Sequence, residues 1–484
     1  MKKGILLAIS SLPSNSGIGT FGREGYLFCD FLKKSGQTLW QILPLGVTSF
    51  GDSPYQSPSS YAINSYFIDF DLLSEKGLLN KEEYITVDFG NGKSVDYAKL
   101  YQNRKNVLRL AFDRFEGDKA YFAFCNKNSY WLNSYATFMS LKDYHGGRCW
   151  QEWEEKYKFR KREELKLFVF SHQKEIEYYK KEQYFAYSQW KSLKKYANSL
   201  GIEIIGDMPI YLSLDSHDVW QNPKRFMLNK DLSTKMVAGV PPDGFTPEGQ
   251  LWGNPLYDWE YEEKRDFKNW IKRIKYQSDL FDHIRIDHFR GFEAFFAIPN
   301  GKLSKSGKWI KAPGQKLFET IKKSVKVSII AEDLGLITPA VRRLLKKTGF
   351  PNMKVMQFGF DNDLTHEYLP ENYPENCIAY TGTHDNETTL GWYNSLYGDK
   401  KKFVDSYING ATNPVFALIE KLFKSKAKMV IVPIQDYLLE DNSCRMNTPG
   451  KKGGNWVYRI DKEVLTNRFL MRTIKDLSVK RWER

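Results

Sequence analysis

Eight short apolar stretches recur along the chain, separated by segments whose apolar residues are spaced three to four positions apart. A near-continuous apolar run such as Val327–Ala331 predicts a strand that is covered on both faces. The wider spacing predicts amphipathic helices between the strands. The eight predicted strands are Gly4–Ser11, Leu39–Leu45, Ile202–Tyr211, His283–Phe289, Val327–Asp333, Met353–Phe360, Cys377–Thr383 and Met429–Asp436.

Two connecting segments carry clear helix signals. Thr338 suits an N-cap, Pro339 the first helical position and Gly349 a left-handed C-terminal position, which predicts a helix between them. The segment from Gly22 to Gly36 has a half-apolar face and predicts another helix. Because strands and helices alternate eight times, the predicted fold is α/β, a (β/α)8 TIM barrel.

The spacing of the predicted strands is uneven. A strand–helix–strand unit needs about 30 residues, yet much longer stretches separate the second strand from the third and the third from the fourth. We therefore predict a single catalytic domain, residues 1–484, with large insertions at both places. These are a helical subdomain at about 60–200 and a loop region at about 213–275. The helices predicted in the first insertion are Tyr97–Glu116, Ser129–Tyr144 and Glu175–Leu200.

Composition excludes several classes of protein. With 42% hydrophobic and 27% charged residues, the 484-residue chain is neither a disordered protein nor a multi-span membrane protein. Its five cysteines form no CxxC pair and its seven histidines no HExxH pair. We therefore expect a reducing compartment, the cytoplasm, and no catalytic metal. A formal charge of +14 raises the question of a polyanionic partner.

Acidic residues stand where four of the predicted strands end. In a barrel these ends meet at one face, where the chemistry of such folds takes place. Each acid taken alone is explained by the capping of a following helix. Four acids at corresponding positions favour a site, because carboxyl groups are costly to bury together. The four strand ends are Gly206–Pro209, Arg285–His288, Ala331–Gly335 and Thr381–Asn386.

Converging carboxyl groups without a metal are typical of enzymes that cleave glycosidic bonds. In such enzymes one carboxylate attacks the anomeric carbon of the sugar or activates water, and another carboxyl group protonates the leaving oxygen. Arg285 precedes Asp287 by two positions, so both side chains leave one face of the strand. The guanidinium favours an ionised Asp287, although an ordinary salt bridge is the alternative. Glu332 is the candidate acid/base. Asp333 is expected to face away and cap structure, and His384 either donates to a sugar hydroxyl or is structural.

Seven short motifs follow one another along the chain. They are Asp52–Gln56, Gly206–Tyr211, Gln250–Pro255, Arg285–Gly291, Ala331–Gly335, Thr381–Asn386, and Arg445–Asn447 with Gly454–Trp456. In this order the motifs resemble those of the amylomaltases, the 4-α-glucanotransferases of glycoside hydrolase family 77 within the α-amylase superfamily. The resemblance extends over nearly the whole chain.

The resemblance implies a retaining transferase that needs no cofactor or metal. It implies that Asp287 is the nucleophile, Glu332 the general acid/base and Asp385 the stabiliser of the transition state. It also implies a flexible loop at Ala238–Pro255 that closes over the substrate. The residues that it implies in contact with the glucan are Ser53, Tyr55, Asp207, Gln250, Trp252, Arg285, His384 and Asn455.

The substrates expected from the resemblance are α-1,4-glucans: malto-oligosaccharides and chains derived from starch or glycogen, with glucose as an acceptor. An α-amylase-type hydrolase, a non-catalytic glucan-binding protein and a polyanion-binding protein are the alternatives. Basic residues gather in the predicted insertion, where 151–200 holds 12 Lys and Arg against 8 Asp and Glu. The predicted site gathers carboxyl groups instead, so we expect no nucleic-acid partner and no membrane partner. Oligomeric state stays open.

Overall fold

The structure, a computed structural model, describes residues 1–242, 248–451 and 453–479. The described strands are β1 (Lys2–Leu6), β2 (Leu39–Gln41), β3 (Glu203–Met208), β4 (Met236–Val240), β5 (Gln250–Pro255), β6 (His283–Ile286), β7 (Ala294–Pro299), β8 (Lys308–Lys311), β9 (Ser328–Ala331), β10 (Asn352–Val355), β11 (Cys377–Tyr380) and β12 (Met429–Pro433).

Helices lie between these strands and in the insertions. They are α1 (Arg23–Lys34), α2 (Phe70–Ser74), α3 (Tyr97–Arg114), α4 (Lys119–Tyr144), α5 (Glu155–Lys158), α6 (Arg162–Ser171), α7 (Gln173–Ser199), α8 (His217–Gln221), α9 (Trp259–Glu263), α10 (Lys268–Leu280), α11 (Gly314–Ser324), α12 (Pro339–Thr348), α13 (Thr389–Ser395), α14 (Gly398–Tyr407), α15 (Pro414–Phe423), α16 (Ile434–Tyr437) and α17 (Arg468–Val479). In the described part of the chain, none of them has the length and apolarity that a bilayer crossing requires.

Eight strands close into a parallel barrel in the order β1-β12-β11-β10-β9-β6-β3-β2. Each of them falls within or beside one of the eight predicted strands, so the barrel prediction is confirmed. The observed strands are shorter because the apolar residues that follow them stay buried without pairing as strands. In the first predicted strand, for example, β1 ends at Leu6, while Leu7–Ile9 stays buried beyond it.

The predicted helix boundaries are confirmed where capping chemistry defined them. The side chain of Thr338 accepts from the Val341 N–H at 3.4 Å, and Gly349 ends α12 at φ 65°. The first helical insertion contains the three predicted helices, with one difference. Helix α4 begins at Lys119, ten positions before the predicted start, because Asp118 caps it by accepting from the Tyr121 N–H at 2.7 Å.

A second sheet, which was not predicted, lies beside the barrel. Its antiparallel strands run in the order β5-β4-β7-β8. Strands β4 and β5 form a hairpin within Ala238–Pro255, the segment predicted to be a flexible loop. The two ends of the predicted loop are therefore strands, and β4 also pairs with β7, a partner far away in sequence. The closure of this segment over the substrate stays a prediction. The middle of the predicted loop, residues 243–247, lies outside the described residues.

The helical insertion supports the segment that follows β2. Gln183 on α7 accepts from the Ile63 N–H at 2.8 Å and donates to the Ile63 carbonyl at 2.9 Å. Gln189 on the same helix binds both main-chain groups of Asp69 in the same way, at 2.7 and 3.1 Å. Both amides are buried. Two glutamine side chains therefore fix the return of this segment to the barrel.

Replacing Gln183 tests this support. The Gln183→Ala variant should lower the free energy of unfolding by about 2–6 kcal/mol, because it leaves the buried N–H and C=O of Ile63 unpaired at about 1–3 kcal/mol each. Urea unfolding followed by circular dichroism measures the change. Gln102→Ala, on the exposed face of α3, is the control. An equal effect in the two variants would contradict the role given to Gln183.

Candidate active site

Asp207, Arg285 and Asp287 form the centre of the barrel mouth. Asp207 and Arg285 are register partners on the neighbouring strands β3 and β6, so their side chains leave the same face. The Arg285 Nη1 atom donates to both carboxylate oxygens of Asp207, at 2.7 and 2.6 Å. The same nitrogen lies 3.2 Å from Asp287 Oδ1. One buried guanidinium is therefore shared by two carboxylates. Burial lowers the pKa of Arg285, but the charges of Asp207 and Asp287 outweigh this effect and raise the pKa well above its ordinary value.

Tyr55 connects this group to the acid at the end of β11. Its hydroxyl donates to Asp207 Oδ2 at 2.7 Å and lies 2.9 Å from His384 Nε2. Because the hydroxyl proton is already given to Asp207, the second contact places a proton on His384 Nε2. That nitrogen also lies 3.3 Å from Asp385 Oδ2. The rings of Tyr55 and His384 are stacked, with centroids 5.4 Å apart.

Glu332 is held by the main chain. Its Oε2 atom accepts from the His288 N–H and its Oε1 atom from the Leu334 N–H, both at 2.7 Å. Its neighbour Asp333 faces the other way, as predicted, and accepts from the Met353 N–H at 2.9 Å. Two adjacent acids at the end of β9 therefore serve different purposes: one points into the mouth and the other fixes strand β10.

Three carboxyl groups of the mouth have three different proton affinities. Burial, and then the charge of Asp287, raise the pKa of Glu332 to about 7. Burial also raises the pKa of Asp287, to about 6, although the Arg285 guanidinium opposes the rise. Burial acts on Asp385 in the same direction, but His384 and the other polar neighbours outweigh it and lower its pKa to about 2. Near neutral pH, Asp385 is ionised and Glu332 is the group that retains a proton.

Aromatic rings form one wall of the mouth. Trp252 on β5 meets the His288 ring edge to face, with centroids 4.9 Å apart, and Tyr211 lies beside both rings. The Trp252 indole N–H donates to Gln250 Oε1 at 2.9 Å, so two predicted glucan contacts are linked on one strand. An aromatic face beside carboxyl groups is suited to the apolar face of a sugar ring.

Ser53 and Asn455 lie in the loops around the mouth. The Ser53 hydroxyl accepts from the Tyr55 N–H at 3.3 Å. The Asn455 side chain accepts from the Thr448 N–H and donates to the Lys451 carbonyl, both at 3.0 Å. Within the protein, both side chains fix loop backbone. The structure thus brings seven of the eleven predicted residues together in one group that includes Arg285 and Glu332. It places Gln250 and Trp252 on the adjacent wall, and Ser53 and Asn455 in the surrounding loops.

Three residues that contact the predicted site were not themselves predicted as site residues. Asn447 donates to Asp385 Oδ1 at 2.6 Å, and Arg445 donates to the Asp385 carbonyl at 2.5 Å. Trp456 packs against Tyr55 and His384, with ring centroids 5.7 and 6.0 Å away. Arg445, Asn447 and Trp456 belong to the last of the seven sequence motifs, which was the available signal. Their roles depend on a contact between the end of the chain and the loop after β11.

A closed parallel barrel with carboxyl groups of separated proton affinity at the ends of its strands is the arrangement of an enzyme that breaks glycosidic bonds. A family model described as 4-alpha-glucanotransferase matches residues 7–465. The chain belongs to this family, the 4-α-glucanotransferases of glycoside hydrolase family 77.

Individual relatives agree with this assignment. A 4-alpha-glucanotransferase from Clostridium butyricum is 46% identical over 468 residues, which are 95% of this chain and 96% of that protein. One from Thermus thermophilus is 42% identical over 474 residues, 94% of each chain. A solved structure of amylomaltase from Streptococcus agalactiae in complex with acarbose superimposes with a TM-score of 0.96 at 42% identity, covering 99% of this chain and 98% of that one.

The hydrogen bond from Asn447 to Asp385 provides a test of the site. Asn447→Ala removes a bond to an ionised carboxylate, worth about 1.5–3 kcal/mol. If that energy stabilises the reacting state, transfer from maltotriose should fall about 10- to 100-fold. Initial rates at pH 7 measure the effect, with Asn106→Ala on the exposed face of α3 as the control. An unchanged rate would show that Asn447 does not position Asp385.

Proposed function

We propose that this 4-α-glucanotransferase acts by a retaining double displacement in which Asp287 is the nucleophile, Glu332 the general acid/base and Asp385 the stabiliser of the transition state. The observation that carries the proposal is the different surroundings of two acids: the Arg285 guanidinium lies 3.2 Å from Asp287 Oδ1, whereas Glu332 accepts hydrogen bonds from the main-chain N–H groups of His288 and Leu334. A retaining mechanism needs one carboxyl group that gives up a proton and another that is ionised.

In the first step, an Asp287 oxygen bonds to C1 of an α-1,4-linked glucose unit as the bond from C1 to the leaving oxygen breaks. Glu332 transfers its proton to that oxygen, and the released end of the glucan leaves. Arg285, 3.2 Å from Asp287, favours the ionised nucleophile. Asp385 is ionised beside the reacting sugar and opposes the positive charge that develops on the ring.

In the second step, the 4-hydroxyl of a glucose or malto-oligosaccharide acceptor attacks C1. Glu332 takes the hydroxyl proton as the bond from C1 to Asp287 breaks, which restores both carboxyl groups. The net configuration at C1 is retained because it is inverted twice. Transfer to a sugar rather than to water requires that water be kept from the covalent intermediate, and the hairpin of β4 and β5 is the element that we assign to this exclusion.

Eight side chains are proposed to bind the glucan. Asp207, His384 and Tyr55 have polar atoms in the same hydrogen-bonded group as the nucleophile, which supports contacts to the hydroxyls of the sugar under attack. Trp252 supplies an aromatic face on the adjacent wall. The Streptococcus agalactiae relative was solved in complex with acarbose, which supports an α-glucan-type ligand for this chain. The full set is Ser53, Tyr55, Asp207, Gln250, Trp252, Arg285, His384 and Asn455.

Incubation with maltotriose alone tests the reaction. The expected products are glucose and oligosaccharides longer than maltotriose, because a transferred segment must end on another sugar. Chromatography of the products over time measures this. Only shorter sugars, formed with one water per bond cleaved, would instead identify an α-amylase-type hydrolase. Asp287→Ala should abolish transfer while thermal unfolding stays cooperative; substantial remaining transfer would refute the nucleophile assignment.

The pH dependence follows from the two perturbed carboxyl groups. Activity requires ionised Asp287, whose fraction grows as pH rises through about 6, and protonated Glu332, whose fraction falls as pH rises through about 7. The profile of kcat/KM should therefore be bell-shaped with its maximum between these values. Measurement of kcat/KM for maltotriose from pH 4 to pH 9 checks this. A rate that keeps rising above pH 8 would contradict protonated Glu332 as the acid.

A further inference from the structure

His288 follows the nucleophile directly and has a left-handed backbone, with φ 51° and ψ 52°. Such a conformation is uncommon for a residue other than glycine and points to a local requirement. The left-handed turn aims the His288 N–H at Glu332 Oε2, at 2.7 Å. The next N–H, of Phe289, donates to the Glu332 main-chain carbonyl at 2.9 Å. Both N–H groups of this turn therefore hold the same residue.

The His288 ring is packed against the aromatic wall. It contacts Trp252 at a centroid distance of 4.9 Å and lies 6.2 Å from Tyr211. Gly291 makes room for the ring, because a Cβ atom there would lie 3.1 Å from His288 Cδ2 and 2.9 Å from a methyl group of Ile210. The ring is thereby held between Trp252 on strand β5 and the backbone at Gly291.

The ring itself is uncharged. Burial, and then the nearby charge of Arg290, lower the pKa of His288 to about 4, so the imidazole is neutral at the pH of catalysis. Its Nε2 atom is buried and has no hydrogen-bond partner among the residues that the structure describes. Because the His288 ring is neutral, it affects the site through its shape and packing and not through electrostatic interaction with the reacting groups.

We infer that His288 is a positioning residue, which orients the acid/base Glu332 through its main-chain N–H and couples that orientation to the Trp252 hairpin through its ring. The inference rests on the proposed role of Glu332. A sugar that binds against Trp252 would press on the ring that holds the turn. Glu332 would then be aligned for proton transfer when the cleft is occupied, and alignment of this kind governs rates steeply.

The test separates proton transfer from binding. Both steps of transfer from maltotriose need proton transfer by Glu332. Neither step needs it when α-maltotriosyl fluoride is the donor and azide is the acceptor. Fluoride leaves with the electrons of the C1–F bond as Asp287 bonds to C1, and azide then attacks C1, forms a C1–N bond and releases Asp287. No proton has to be given or taken by Glu332 in that sequence.

His288→Ala removes the ring and disfavours the left-handed backbone. We expect kcat for maltotriose to fall about 10- to 100-fold, with KM and the fluoride–azide rate near the wild-type values. His288→Asn tolerates the left-handed backbone, so it should recover part of the lost rate. His172→Ala, which removes a histidine stacked on Phe168 in the helical insertion, is the matched control. Equal losses on both donors, or no loss on either, would overturn the inference.

The pH profile gives a second readout. The His288 N–H bond lowers the pKa of Glu332, against burial and the charge of Asp287, while Arg285 acts in the same direction as the bond. Loss of the bond should therefore move the alkaline limb of the His288→Ala profile to higher pH, and an unmoved limb would argue against the inference.

The Glu332→Gln variant tests the underlying proposal separately, because it should lose maltotriose transfer and retain the fluoride–azide reaction. If Glu332→Gln does not show this pattern, the acid/base assignment of Glu332 is wrong. If Glu332→Gln shows it and His288→Ala does not give the results expected above, only the inference about His288 is wrong.

Discussion

The buried guanidinium of Arg285 is the interaction on which the mouth of the barrel depends. Two carboxylates, Asp207 and Asp287, lie within 3.2 Å of one of its nitrogens; Asp207 is fully buried and the Asp287 side chain is 30% exposed. Removing Asp207 would leave the buried guanidinium without its fully buried partner, at a cost of about 3–5 kcal/mol. The arrangement thus constrains its neighbours. Tyr55 must donate to Asp207, and His384 must keep its proton on the nitrogen that faces Tyr55 and Asp385.

The remaining acids differ because their partners differ. Asp385 is surrounded by donors: His384, and Asn447 from the end of the chain. Among the described residues, the hydrogen bonds to the Glu332 carboxyl group come from main-chain N–H groups. Burial, and then the negative charge of Asp287, raise its pKa, so it binds its proton more tightly. One barrel edge therefore offers an ionised carboxylate and a protonated carboxyl group at the same pH. That difference arises from packing and hydrogen bonds, since the side chains are chemically almost identical.

The barrel strands could be predicted because burial on both faces leaves an unbroken apolar run in the sequence, as in β9. The acids were predictable for a related reason: parallel strands bring their carboxyl ends to one edge. The second sheet was missed because the pairing of β4 with β7 joins segments far apart in sequence, and the Gly and Pro residues of the hairpin resemble those of a loop. Asn447 was missed as a partner of Asp385 because a single polar residue carries no periodic signal. Its role exists only once the chain has folded.

The second sheet connects the aromatic wall of the mouth to the loop that follows Asp287. Its strands come from two separate loops: β4 and β5 follow barrel strand β3, whereas β7 and β8 follow β6, directly after the turn at Asp287 and His288. The wall that carries Trp252 is therefore hydrogen-bonded to the loop that begins at Asp287. In the mechanism that we propose, a glucan that moved this wall would act on the turn beside Asp287 and Glu332, through Trp252 and His288. Selection of a sugar acceptor and alignment of Glu332 would then be two consequences of one contact.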